Sequence, residues 1–121
     1  MILSHGCRLN QSLEKVADHL IDRPTALNEI SGHFALAVVL PEEDRLLLTR
    51  DLFGTRPLFY LNEESYFAFS SDLQSLTTLK SYNKSPNRSF LRNYVIYYHY
   101  DNVYTRYEGI NRVPAGGIIE Y

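Results

Sequence analysis

The strongest constraint in this 121-residue sequence is an apolar run that begins after Gly32. Residues His33 to Leu40 contain hardly any polar side chain. A strand that is apolar on both alternating faces is typical of a strand covered on both sides. The turn residues Pro41 to Asp44 and a second apolar segment, Arg45 to Thr49, follow directly, so this part of the chain is predicted to form an antiparallel hairpin.

A second hairpin is predicted from Leu58 to Leu61 and from Tyr66 to Phe69, across the polar turn Asn62 to Ser65. Because short turns join the four strands, we expect them to form one antiparallel sheet with helices on a face, which is an α+β arrangement. A last strand is predicted over Ile118 to Tyr121.

Helical periodicity predicts the other elements. Apolar residues recur at helical spacing from Asn10 to about Ile21, where Asn10 or Ser12 can cap the helix and Arg23-Pro24 can end it. Similar spacing predicts helices over Ser71 to Lys80 and Phe90 to Tyr98, and Thr25 to Ile30 is interpreted as a short turn.

Composition excludes several classes of protein. Twelve basic and 14 acidic residues give a formal net charge of -2, which argues against a basic nucleic-acid binder. The lone Cys7 forbids an internal disulfide, and the longest apolar run is too short to cross a bilayer. The first residues also lack the basic and apolar stretches of a signal peptide. We therefore expect one cytoplasmic domain over residues 1–121, with no nucleic-acid or membrane partner.

The segment Arg50 to Tyr60 carries the most information about a site. Gly54 supplies a backbone conformation that few other residues adopt, and Pro57 fixes φ where the chain re-enters a strand. Arg50 and Asp51 stand at the end of a strand, where a charge pair could tie the loop. The residues alone leave open whether this loop is purely structural or contacts a substrate.

Four ordered blocks resemble the glutamine amidotransferase domain of asparagine synthetases. The blocks are Gly32 to Val38, Leu48 to Tyr60, Phe67 to Leu76 and Tyr107 to Gly117. The resemblance as a whole spans about Asn10 to Tyr121. Related lasso-peptide cyclases and β-lactam synthetases carry similar blocks. The resemblance implies two antiparallel sheets between helical layers, the αββα sandwich of N-terminal-nucleophile hydrolases.

The resemblance also implies a mechanism in which a free N-terminal Cys attacks the side-chain amide of glutamine and its own α-amino group acts as base. This sequence has Ile2 after Met1, and the family's Cys-Gly-Ile start is absent. The expectation is therefore an N-terminally truncated, degenerate or split domain that has no glutaminase activity alone.

Few residues qualify for catalysis or binding. Cys7 could be a nucleophile only after removal of six residues, and the favoured reading is an ordinary thiol. Asn10 and Gln11 stand nearest to the family's Asp that recognises the α-amino group of glutamine, so Gln11 is the candidate substrate-binding residue. The candidate structural residues are Arg50, Asp51, Phe53, Gly54, Arg56, Pro57, Ser71 and Asp72.

The histidines and tyrosines are weaker signals. His33 is interpreted as a satisfied core or edge imidazole, and His19 and His99 form no pair with metal-ligand spacing. The tyrosines between Tyr94 and Tyr107 are interpreted as a packing or interface surface rather than a base-stacking platform.

No cofactor is expected within these residues, because the resemblance assigns ATP and Mg to a separate synthetase domain. The expected partner is a synthetase chain, a complementary amidotransferase chain or a second copy. A dimer, a complex with a companion chain or poor solubility is expected because one face of the run Phe34 to Leu40 should lack a cover. The alternative function is a non-catalytic interaction or dimerisation module.

Overall fold

The computed structural model describes residues 1–4, 6–23, 27, 29–98 and 101–121. These residues form two compact units, one of residues 1–57 with 113–121 and one of residues 58–112. Both combine helices with antiparallel strands, so the α+β class is confirmed.

The first unit contains a four-stranded antiparallel sheet in the order β1-β4-β5-β9 and a separate two-stranded pair, β2-β3. The predicted hairpin is confirmed, since β4 pairs with β5 from Ala35 opposite Arg50 to Leu40 opposite Arg45. The strands of this unit are β1 (Ile2–Ser4), β2 (Arg8–Leu9), β3 (Gly32–His33), β4 (Ala35–Leu40), β5 (Arg45–Arg50) and β9 (Ile118–Glu120).

The predicted first helix is confirmed as α1 (Leu13–Asp22), with Ser12 at the N-cap position and Arg23 at the C-cap. Its buried face, which includes Val16 and Leu20, packs against Phe34 and Leu36 in the main core of this unit. The i, i+4 spacing thus places one apolar stripe on the sheet. Half of the turn predicted over residues 25–30, namely residues 25, 26 and 28, lies outside the described residues, as does Pro24.

The second unit contains a three-stranded antiparallel sheet in the order β7-β6-β8. Its core contains Phe59, Leu61, Leu76 and Ile110. The predicted second hairpin and both predicted helices are confirmed, although the second helix is shorter than expected. The elements are β6 (Phe59–Glu63), β7 (Tyr66–Ser70), α2 (Leu73–Thr77), α3 (Arg88–Tyr97) and β8 (Ile110–Arg112).

The prediction that the two hairpins share one sheet is wrong. The edge of β5 is occupied by β9, which pairs from Leu47 opposite Glu120 to Thr49 opposite Ile118. The edge of β6 is occupied by β8, with Leu61 opposite Ile110. Because these strands come from the C-terminal part of the chain, the pattern of four successive strands did not reveal the pairing.

The expectation of an uncovered face on the apolar run is also wrong. Each of residues 34–38 is at most 2% exposed. On one face, Leu36 packs in the core around α1, and Val38 packs against Ala17 and Leu47. The opposite face carries the small side chains of Ala35 and Ala37, which present little apolar area to cover.

None of the helices in the described part of the chain has the length and apolar content that crossing a bilayer requires.

Candidate functional site

The carboxylate of Asp51 lies at the end of β5, is 2% exposed, and is surrounded by hydrogen-bond donors. It accepts hydrogen bonds from the backbone N–H groups of Phe34 at 3.1 Å, Phe53 at 3.0 Å and Thr55 at 3.1 Å. The hydroxyl of Thr55 donates a further bond of 2.7 Å. The carboxylate therefore holds the loop of residues 51–57 against the start of β4.

The backbone of Asp51 extends this connection. Its N–H donates to the carbonyl of Phe34 at 3.1 Å, and its carbonyl accepts from Gly54 N–H at 2.9 Å and Gly116 N–H at 3.0 Å. One residue thus joins β4, the loop and the turn that precedes β9. These bonds hold the loop against both segments although it has no regular secondary structure.

Hydrogen bonding decides the ionisation of Asp51. Burial alone raises the pKa of its carboxyl, but the bonds from the Thr55 hydroxyl and from the N–H groups of Thr55, Phe34 and Phe53 lower it more, so the pKa lies below its ordinary value. A buried carboxylate whose oxygens already accept these bonds holds structure and is poorly suited to move a proton during catalysis.

The side chain of Arg50 is 6% exposed and donates hydrogen bonds to backbone carbonyls. Its Nε donates to the Arg56 carbonyl at 2.6 Å and its Nη1 to the Val113 carbonyl at 2.8 Å. Its Nη2 donates to the carbonyl of Gly54. Arg50 and Asp51 thus both hold the loop, and the bonds of Arg50 reach backbone carbonyls on both sides of it. The charge pair predicted between the two residues stays a prediction.

Gly54 has φ = +59°, which confirms the predicted need for glycine. A Cβ atom at this position would lie 2.7 Å from Arg50 Nη2 and 3.0 Å from the Cβ of Ala115. At the surface of the loop, the side chain of Phe53 is 85% exposed and Pro57 is exposed. Arg56 is half-buried, and the loop uses its carbonyl.

Ser71 and Asp72 lie in the second unit, where Asp72 is the N-cap of α2. Its carboxylate accepts from the backbone N–H of Ser75 at 2.9 Å and from the Ser75 hydroxyl at 2.7 Å. The Ser75 hydroxyl bond, followed by the backbone bond, lowers the pKa of Asp72. Asp72 therefore caps a helix, and Ser71 is half-buried beside it.

The other candidates lie elsewhere in the first unit. Cys7 is half-buried and packs against the core around α1, and its Sγ lies 3.8 Å from the carbonyl oxygen of Ala35. Gln11 is half-buried just before α1, and its role in substrate binding stays a prediction. His33 is exposed in β3, so its interpretation as a core residue is wrong and the strand-edge alternative fits.

Metal-ligating residues do not cluster in the part of the chain that the structure describes: no group of three or more His, Cys, Asp and Glu side chains there could hold an ion. His19 is exposed on α1, and His99 lies outside the described residues.

Comparison with known proteins gives the family. Residues 19–121 match the family model described as "Glutamine amidotransferase domain". The chain belongs to this glutamine amidotransferase family. Over 50 residues it is 40% identical to "Putative asparagine synthetase (glutamine-hydrolyzing) 1" of Methanocaldococcus jannaschii. That match covers 41% of this chain and 9% of the relative.

Two hydrogen-bond donors to Asp51 could not be predicted from the sequence of this amidotransferase domain. Phe34 N–H and Gly116 N–H come from distant parts of the chain, so no local pattern revealed them. Thr55 was a findable partner, because a Thr four residues after an Asp across a glycine turn can fold back onto the carboxylate.

We predict that Asp51→Asn lowers the free energy of unfolding by about 1–3 kcal/mol near neutral pH, because the amide removes the charge and replaces one of two accepting oxygens by an NH2 group that faces N–H donors. The folded-state pKa of Asp51 lies below its unfolded value of about 4, so this stabilisation is present above about pH 4 and is lost as the pH falls through the folded-state pKa.

Urea denaturation at a series of pH values checks this. The difference in free energy of unfolding between the wild-type protein and Asp51→Asn should shrink below about pH 4. The exposed control Glu42→Gln should unfold with nearly the wild-type free energy at every pH. A difference for Asp51→Asn that does not change with pH would contradict the assignment.

We predict that Gly54→Val destabilises the protein by about 1 kcal/mol or more, because valine is strained at positive φ and its Cβ meets Arg50. Arg56→Ala keeps the carbonyl that Arg50 uses and should cost clearly less. Denaturant melts compare the two variants, and equal losses would show that the loop depends on the Arg56 side chain as well.

Proposed function

We propose that residues 1–121 form the supporting part of an asparagine-synthetase-type glutamine amidotransferase and do not hydrolyse glutamine by themselves. The observation that carries this proposal is the surroundings of Cys7, the single cysteine of the sequence. The thiol of Cys7 is half-buried against an apolar core. The backbone nitrogen of Cys7 is part of the peptide bond with Gly6.

The chemistry of the family explains why this position is unsuitable. A nucleophilic Cys that uses its own α-amino group as base needs that amine to be free and next to the thiol. Gly6 precedes Cys7 with φ = +59°, and β2 follows it at Arg8, so Cys7 lies between structured residues. It lies in the chain interior, where no α-amino group is available.

In this proposal the loop held by Asp51 and Arg50 supports a glutamine site whose nucleophile is supplied from outside these 121 residues. Gln11 is the proposed contact to the α-amino group of the substrate. A neutral amide there accepts a weaker hydrogen bond from an ammonium than a carboxylate does. The fold proposed for the complete site is the αββα sandwich of N-terminal-nucleophile hydrolases.

The proposed reaction of the whole enzyme is ATP-dependent transfer of ammonia from glutamine to a carboxylate, as in asparagine synthesis, or a related lasso-peptide or β-lactam cyclisation. ATP and Mg would bind a synthetase domain outside these residues. The proposed partner is that synthetase or a complementary amidotransferase chain, in the cytoplasm, with no role for nucleic acid or membrane.

We predict that the purified 121-residue protein releases no ammonia from glutamine above a buffer blank, because it offers no nucleophile with a free amine. Coupled detection of ammonia measures this, with Cys7→Ala as the matched control. Glutamine hydrolysis that disappears in Cys7→Ala would overturn the proposal and identify Cys7 as the nucleophile.

A second candidate function is a non-catalytic interaction module, and α3 favours it. The helix buries none of its residues. Val95 is 70% exposed, Ile96 58% and Tyr97 72%, and Tyr98 immediately after the helix is 88% exposed. Large apolar side chains that stay together in solvent are typical of a contact surface.

If α3 mediates self-association, the protein should be a dimer or larger at micromolar concentration, and Ile96→Asp should shift it toward the monomer. Phe53→Asp is the matched control, because it places the same charge at an exposed apolar position of the first unit. Light scattering after gel filtration gives the mass. A monomeric wild-type protein, or equal shifts for both variants, would rule out this role for α3.

A further inference from the structure

The second unit contains a pocket of about 400 Å³ beside α3 that the proposed amidotransferase function does not use. Its walls include the rings of Phe59, Phe90 and Tyr94, and the side chain of Leu91. Arg106 and Arg112 also line it. This volume is near the lower end of the range for small-molecule pockets and suits a ligand with a single ring.

The apolar wall of the pocket consists of two stacked rings on α3 and one ring from the core. The rings of Phe90 and Tyr94, one helical turn apart on α3, are stacked with centroids 6.2 Å apart and an angle of 5° between their planes. Phe59 is 8% exposed and belongs to the core of the second unit. A flat apolar group can therefore pack against three aromatic rings, of which Phe59 is held in place by the core.

The charged side of the pocket consists of two arginines. Arg112 lies with its Cζ 5.5 Å from the centroid of Phe59, and its Nη1 donates to the carbonyl of Asp101 at 2.8 Å. Arg106 is exposed, with its Cζ 5.3 Å from the centroid of the Tyr107 ring. Aromatic contacts thus orient both guanidinium groups, and no acidic side chain is among the described lining residues.

We propose that this pocket binds an aromatic or branched aliphatic carboxylic acid, with the apolar group against Phe59, Phe90 and Tyr94 and the carboxylate at Arg106 and Arg112. A planar guanidinium with several N–H donors binds a carboxylate more strongly than it binds a neutral group. The same chemistry occurs in a free acid and in the C-terminal residue of a peptide. The proposal is independent of amide transfer.

Calorimetric titration with 3-phenylpropionate tests the proposal on the wild-type protein. We expect the acid to bind at least about tenfold more tightly than its amide, since the amide cannot form charge-assisted bonds. Acetate, which lacks the ring, should bind more weakly by a similar factor. No binding of the acid, or equal affinity for acid and amide, would overturn the proposal.

Two variants test whether Arg106 binds the carboxylate. Arg106→Gln should weaken binding of 3-phenylpropionate by about tenfold. Arg92→Gln removes the same charge from the exposed surface of α3, outside the pocket lining, and should have little effect. Equal losses would show that only the general positive charge of this surface attracts the acid, which contradicts a built site. Thermal melts establish that both variants are folded.

A third titration separates the two sources of the ligand. A short peptide that ends in phenylalanine with a free carboxylate is compared with the same peptide as its C-terminal amide. Tighter binding of the free-acid peptide than of 3-phenylpropionate identifies a chain terminus as the ligand. Binding of 3-phenylpropionate alone identifies a small free acid.

Discussion

The buried carboxylate of Asp51 is the interaction on which the first unit depends. Through side chain and backbone it joins Phe34, the loop to Thr55, and Gly116, which are far apart in sequence. Taking a carboxylate out of water is costly unless donors replace the solvent, so the carboxylate and its donors must become ordered together. The loop therefore has this conformation only together with β4 and the turn before β9, which makes folding of these segments cooperative.

Arg50 completes this arrangement with the opposite charge. The carbonyls of Gly54, Arg56 and Val113 accept hydrogen bonds from its guanidinium, so backbone groups replace water around a buried cation and a buried anion at adjacent positions. Such a design constrains the backbone more than a direct ion pair would, because each bond fixes a peptide group. The positive φ of Gly54 is part of the same solution, since a Cβ atom there would meet Arg50. One consequence is that Phe53 lies at the outer surface of a rigid loop.

Features that depend on neighbouring residues could be predicted from the sequence, and features that depend on distant residues could not. The two hairpins, α1 and the special conformation of Gly54 follow from spacing and turn residues within short segments, and these predictions hold. The sheet order failed because it is decided by β9 and β8, whose residues lie far along the chain from β5 and β6. The strand at Ile110–Arg112 was missed because three residues, two of them polar, carry no periodicity. The donors Phe34 N–H and Gly116 N–H to Asp51 were missed because they lie far from it in the sequence.

The two units use their charges differently, and this difference bears on which part of the domain can bind a partner. In the first unit, the buried charges of Arg50 and Asp51 are turned inward and are satisfied by backbone groups. In the second unit, residues 73–100 contain four Lys or Arg and no Asp or Glu, and the exposed aromatic residues of α3 lie within that segment. An apolar surface with cations and few anions attracts an acidic, apolar partner and disfavours a basic one. Arg50 and Asp51 therefore serve the fold of the first unit, whereas the exposed cations and aromatic rings of the second unit are the side chains that suit an acidic, apolar partner.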